Sequence, residues 1–468
     1  MLDIFTLSED VELTDSRLLK FIRQNDQKTA TRYDKLWNAY NNDYPIYHAP
    51  ENPEWLADNR ASVNFARVIV DTFEGFFLGY PVKVESADET VDEYVKELDA
   101  YTDADDINAE LSNIVSIFGR GYRIVFVDEM GDVGTAYVDP REGFGIYNQS
   151  IIPKMMYFVR TYFKYDENNK KIRCGSISDD VSVRYFHLEG NGIVWDEEFA
   201  HGFDGVPAIE FIQNRARRGI FEDVLPLIDF VNTTLSDKMN DIASLAQNIV
   251  KIIGPKFDTN ALRNLRKYHI LNIETRDAAS AIAEYLTPPN GDSSQEHLLD
   301  RLERLIYTVA MICDITNDSF TAASGVAIRW KMFPMINLAA SKWRKFEHGL
   351  KVYYKLVCSN PVCPLAEDDW TKLSFIHVLN FPANVTEEAT VAGQLSGITS
   401  RETQLKMLSF VDDPEEEMKR IRKEEAEDMS VQAGVYATER IEVTNKADES
   451  KPPQTEEPKD QEDSGDAE

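Results

Sequence analysis

The chain has 468 residues and 43% hydrophobic content, enough for a sizeable core spread over about two to four domains. Its 81 acidic and 50 basic residues leave a formal net charge of -31, which repels nucleic acid at long range and excludes DNA binding by the whole surface. Four cysteines (Cys174, Cys313, Cys358 and Cys363) are too few for a disulfide framework at this length and fit a reducing compartment.

Residues 14–40 are expected to be helical. Thr14 or Asp15 can cap the start, and Leu18, Leu19, Ile22, Tyr33, Leu36, Trp37 and Tyr40 supply an apolar face. After a turn-rich stretch, a second helix is expected over about 62–78, stopped by Gly79-Tyr80-Pro81. A short strand at 82–84 and a helix at about 107–118, ending at Gly119, follow. The next stretch is β-rich, with strand signals at 122–128, 134–138, 144–147, 155–165, 181–187 and 192–195. The first half therefore reads as an α+β domain with an antiparallel sheet, not as an alternating βαβ fold.

The pattern changes near Glu222. Val224, Ile228, Val231, Leu235, Ile242, Leu245 and Ile249 follow three-four spacing, which predicts one long helix over 222–253 with Lys238 as its polar break. Leu298, Leu302, Leu305 and Val309 repeat such a seam over about 292–314. A compact insert at 254–291 separates the two and ends in Pro288-Pro289-Asn290-Gly291. Two seamed helices with a small module between them make a stalk with a tip. The polar loop Thr316, Asn317, Asp318, Ser319, Phe320, Thr321, Ala322, Ala323, Ser324 and Gly325 leads into a long helix over 326–358. Pro334 should bend that helix, because it removes a backbone hydrogen bond. A late strand at 373–379 is expected to return to the first domain. Helical patterns fill 381–437, and 438–468 is so poor in apolar residues that it should be disordered.

The sequence offers little for catalysis. It has no phosphate-binding Gly-x-x-x-x-Gly-Lys-Ser/Thr loop, no complete dinucleotide fingerprint, no His-Glu-x-x-His and no Gly-x-Ser-x-Gly. Cys358 and Cys363 could be half of a metal site, but no second pair follows, so no metal or other cofactor is expected. No signal peptide is evident, and no run of 18 apolar residues suggests a membrane span. Two basic clusters stand out: Arg215, Arg217 and Arg218, and Lys256, Arg263, Arg266 and Lys267 in the insert. Either could meet phosphates or an acidic partner, or form salt bridges within an acidic protein.

The ordered set of segments resembles portal proteins of long-tailed double-stranded DNA bacteriophages. The matching pieces include Tyr33-Asp-Lys-Leu-Trp-Asn-Ala-Tyr40, Asn59-Arg60, Asn64-Phe-Ala-Arg-Val-Ile-Val-Asp71 and Gly75-Phe-Phe-Leu-Gly-Tyr-Pro-Val82. Further along come Gly119-Arg-Gly-Tyr122, Val138-Asp-Pro140, Gly205-Val-Pro-Ala-Ile-Glu-Phe211 with Asn214, Asp229-Phe-Val-Asn232, and Ser324-Gly-Val-Ala327 with Lys331 and Pro334. The resemblance implies a portal-like fold: an α/β wing (1–221, with 326–380 returning), a two-helix stem (222–253 and 292–314), a small α/β clip (254–291), a tunnel loop (315–325), the kinked long helix and a helical crown (381–437). It implies a homo-oligomeric ring of about twelve subunits at one capsid vertex, assembled in the host cytoplasm, through which DNA is packaged and ejected. The implied partners are terminase, head-completion or adaptor proteins, major capsid and scaffolding proteins, and the duplex itself, with the clip as the docking tip. The competing readings are an enzyme of the packaging machinery, a nuclease or ATPase, and a coiled-coil scaffold. The first would show turnover with magnesium, and the second would form a dimer or open filament.

Overall fold

The computed structural model describes residues 3–53, 57–165, 169–190, 192–246, 250–253, 282–285, 292–314, 325–381, 385–408, 411, 414, 416–426 and 429. It is an α+β protein with two compact units, 1–381 and 382–468.

Helix α1 (Asp15–Lys28) continues through a π turn (Thr29–Tyr33) into α2 (Asp34–Tyr40). Helix α3 (Phe65–Phe77) starts where the Asn64 side chain accepts from the Arg67 N–H at 3.2 Å. Helix α4 (Glu89–Tyr101) was not anticipated, because only Val91, Val95 and Leu98 of its residues are fully buried and acidic residues surround them. Helix α5 (Ala104–Phe118) ends at Gly119, whose φ of 83° is left-handed; a Cβ there would lie 2.2 Å from the Arg217 carbonyl oxygen.

Strands β1 (Phe5–Thr6), β5 (Gly143–Tyr147), β6 (Met155–Tyr165), β7 (Lys171–Ser178), β8 (Ser182–Glu189) and β9 (Gly192–Ala200) form a six-stranded sheet in the order β1-β5-β6-β7-β8-β9. All pairs are antiparallel except β1–β5. Strand β7 carries no clear sequence signal; its Gly175 stands where a Cβ would meet the Phe186 ring at 2.4 Å. A second sheet orders β10 (Ala208–Ile212), β3 (Arg120–Val127) and β4 (Val133–Val138). Helix α1 lies on the larger sheet and buries Leu18 and Ile22 against Phe144, Val159, Ile177 and Phe186. The main core gathers Phe73, Phe77, Phe118, Phe211, Phe346 and Tyr353. Each such side chain stabilises by about 1.5–3 kcal/mol through burial alone.

The stem region departs from the expectation of one helix over 222–253. Helix α6 covers Leu225–Ala246, and Val250–Ile253 is instead a strand, β11, paired antiparallel with β12 (Ile282–Tyr285). The run Ile249-Val-Lys-Ile-Ile253 is β-branched at four of five positions, which favours an extended chain over a helix once a partner strand exists. Helix α7 (Asp292–Ala310) stops four residues short of Asp314, where Met311 takes a φ of 60°. Helix α8 (Gly325–Ser359) runs for 35 residues through Pro334. Strand β13 (Leu373–Ile376) returns to pair antiparallel with β2 (Lys83–Ser86). In the second unit, α9 (Val385–Gln394), α10 (Arg401–Leu405) and a helical stretch at 416–426 follow; the Ser400 side chain caps α10.

Candidate functional site

Helices α6, α7 and α8 each contribute residues to the main core of unit 1, among them Ile228, Ile306 and Phe346. Helix α6 is fixed by a polar ladder. Asn232, Ser236 and Asn240 stand one helical turn apart and grip alternate residues of the chain before α3. Val63 N–H donates to Asn232 Oδ1 at 2.8 Å, Ala61 N–H to Ser236 Oγ at 3.0 Å and Asn59 N–H to Asn240 Oδ1 at 2.6 Å. Asn240 Nδ2 donates back to Asn59 O at 3.3 Å. Sequence reading missed this ladder, although polar residues at four-residue spacing on an amphipathic helix were its visible signal.

The seam residues divide into two groups. Val224, Ile228, Val231 and Leu302 are buried within the protomer, and Leu235 is half-buried. Ile242 is 57% exposed, Val309 51%, Leu298 39% and Leu305 38%, and Phe230 and Met239 join them at the surface. Helices α6 and α7 pack on each other, and Lys238 is ion-paired with Glu296 across them. So the described stripe of α6 closes mostly on unit 1, while three of the four stripe residues of α7 face outward. Leu245 lies in α6 but its side chain, like Ile249, is outside the described residues. So are Lys256, Arg263, Arg266 and Lys267 of the expected clip, and Thr316, Asn317, Asp318, Ser319, Phe320, Thr321, Ala322, Ala323 and Ser324 of the expected loop; Gly325 opens α8.

Helix α8 is fixed at its C-terminal half. Lys342 is fully buried, and its Nζ donates to Glu74 Oε1 of α3 at 2.6 Å, to Ser116 Oγ of α5 at 2.9 Å and to the Ser112 carbonyl at 3.0 Å. Ser112 Oγ donates to Glu74 Oε2 at 2.5 Å, and Ser116 Oγ bonds to the same carboxylate. The ammonium lies 4.7 Å from the Phe77 ring centre. Burial pulls the Lys342 ammonium below the usual lysine range, while Glu74 opposes that. Before Pro334 the same helix buries Met332 in the core but leaves Trp330, 71% exposed, and Phe333 at the surface.

The basic cluster at 215–218 resolves into internal pairing. Buried Arg217 donates two bonds to Glu210, at 2.7 and 2.8 Å, and Arg218 pairs with Asp223 at 2.6 Å. Burial pushes the Glu210 carboxyl up, but Arg217 and Arg120 beside it hold it below the usual carboxylate range. Arg215 is exposed. His187 of β8 bonds to Asp196 of β9 at 3.0 Å, and His201, just after β9, contacts the Asp179 carbonyl at 3.1 Å. Among the described residues no group of three or more His, Cys, Asp or Glu side chains could hold a metal, and no helix is long and apolar enough to cross a membrane.

The chain is similar to the portal protein of Bacillus phage SPP1, 23% identical over 392 residues that cover 78% of this chain and 76% of that protein. It is also similar to the portal protein of Clostridium phage phiCD119, 23% identical over 401 residues, covering 79% of this chain and 86% of that protein. The sequence model of the family described as "Phage portal protein, SPP1 Gp6-like" matches residues 19–431. The chain belongs to that family of phage portal proteins.

Proposed function

We propose that this protein is the portal of a tailed phage: a ring of identical subunits whose channel passes DNA during packaging and ejection, and which acts as an assembly platform, not an enzyme. The observation that carries this reading is the outward apolar part of the stem, with Leu298, Leu305 and Val309 on one face of α7 and Met239 and Ile242 on one face of α6 at the surface of a protomer whose net charge is -31. An apolar row along two helices stays wet in a lone protomer and dries when identical copies stand side by side; a closed ring gives every copy the same two neighbours. In this arrangement residues 254–291 form the clip that meets terminase and later adaptor proteins. The loop 316–325 lines the channel with small and polar side chains that give phosphates little to hold. Pro334 divides α8 into an anchored part, held by Lys342, and a part that carries the loop.

The test is assembly. Ile242→Asp with Val309→Asp is expected to yield folded protomers without rings, as read by native mass spectrometry and negative-stain electron microscopy, while the parent forms rings of about twelve copies. Rings of undiminished yield from the double variant would remove the stem from the interface.

A further inference from the structure

Helix α8 differs in charge from the rest of the chain. Between Gly325 and Phe346 it carries Arg329, Lys331, Lys342, Arg344 and Lys345 and no acidic residue, in a protein whose net charge is -31. Lys342 is paired with Glu74, but Arg329 and Arg344 are exposed and make no ion pair among the described residues. Trp330, Phe333, Asn337 and Arg344 recur at helical spacing, so they share one exposed face, with Arg329 at its edge. The Trp330 and Phe333 rings stand 6.0 Å apart on it. Helix α6 carries a counterpart. Phe230, Thr233, Asp237 and Asp241 are all exposed and lie along one face, separate from that of Met239 and Ile242. Its one base, Lys238, is paired with Glu296, and Asp237 and Asp241 make no ion pair among the described residues. Phe230 and Asp241 are eleven residues apart, as are Phe333 and Arg344, about 16 Å along each helix.

We propose that the aromatic, cationic face of α8 in one copy docks on the acidic face of α6, with its Phe230, in the next copy, so that each protomer meets its two neighbours through two different helices. The occupant is a second copy of this chain; the inference rests on the ring reading and names a contact within it. Two copies of net charge -31 repel each other, so their association needs a local surface of the opposite sign, which this stretch of α8 supplies. The two faces are unlike, and a contact between unlike faces repeats from copy to copy, whereas a face that met itself would stop at a dimer. The aromatic side chains bring apolar area to the contact, and the aspartate and arginine groups fix its register. Duplex DNA fits the face less well. A phosphate backbone gives two aromatic rings no apolar cover, and two unpaired guanidinium groups are few against the charge of the whole chain.

Two charge-reversed variants of the full-length chain test the contact. Asp237→Arg with Asp241→Arg makes the α6 face basic, and Arg329→Asp with Arg344→Asp makes the α8 face acidic. Each alone sets like charges against each other and is expected to stay a protomer at about tenfold the concentration at which the parent assembles, as read by native mass spectrometry. Mixed in equal amounts, the two are expected to assemble in alternation, with equal numbers of each in every oligomer. Each reversed α6 then meets a reversed α8, and each native face meets a native one. Reversed variants that assemble like the parent would overturn the docking, as would a mixture that stays monomeric while both variants keep the parent's circular dichroism. If a reversed variant does not fold, Trp330→Ser with Phe333→Ser decides: a loss of assembly of about tenfold or more supports the contact, and undiminished assembly overturns it. Weaker duplex binding by the α8 variant in a gel shift, with assembly unchanged, would assign the face to DNA instead. Electron microscopy separates this contact from the reading it rests on. Alternating open chains in place of closed rings would overturn the portal reading and keep the contact, intact rings from both reversed variants would do the opposite, and a parent that never leaves the monomer would overturn both.

Discussion

Removing Lys342 tests whether the long helix is pinned to the body of unit 1 by charge. Lys342→Met deletes an ammonium with no exposed surface and leaves Glu74, at 12% side-chain exposure, with only Ser112 and Ser116 as partners. Stranding one partner of a buried ion pair costs about 3–5 kcal/mol, chiefly the desolvation of the charge left behind. Glu74→Gln strands the ammonium instead, by a similar mechanism. Replacing both, Lys342→Met with Glu74→Gln, leaves neutral groups that the two serines can serve, so the double loss should be well below the sum. Urea unfolding can be followed by tryptophan fluorescence, since Trp343 adjoins the pin and stacks on His377 at 4.3 Å. A single-variant loss below about 1 kcal/mol, or losses that simply add, would refute the pin.

Two further predictions concern the same unit. Burial pushes the Asp99 carboxyl up to about 6, although Tyr354 Oη donates to it at 2.7 Å and Arg123 opposes the rise. The folded protein thus holds that proton more tightly than the unfolded chain, and stability falls as pH rises from about 4 to 6, by roughly 2–3 kcal/mol in total. Asp99→Asn should therefore match the parent near pH 4 and exceed it at pH 8 in thermal melts; equal melting at both would contradict the burial argument. In the polar ladder, Asn232→Ala leaves the Val63 N–H without its acceptor and should cost about 1–3 kcal/mol. Hydrogen exchange should quicken at residues 59–63, and unchanged protection there would show the ladder to be incidental.

Much of the scaffold was legible because its signals are local. Proline and glycine punctuate helix ends, and the return of 373–376 follows from a β-branched and aromatic run after a long helix. The motif residues quoted for the family resemblance turn out to be hubs of backbone hydrogen bonding: Asn64 caps α3, Asn214 holds the Arg218 backbone in both directions, and Asn232 opens the ladder. What could not be read depends on tertiary partners. The run 250–253 continues a helical stripe in one dimension and is a strand paired with 282–285. Arg217 looks like a phosphate ligand until Glu210 is placed against it. The Glu74–Lys342 pair joins residues 268 positions apart, a separation across which no spacing rule operates.

The ladder on α6 also works like a vernier. Four residues of helix advance about 6.0 Å, while two residues of extended chain advance about 6.6 Å. The two scales coincide at one rung and drift by about 0.6 Å at each rung away from it, so over three rungs the slip is about 1.2 Å, near the most a hydrogen bond can absorb. Asn240 is the last rung among the described residues, and the exposed Ile242 lies about half a helical turn beyond it.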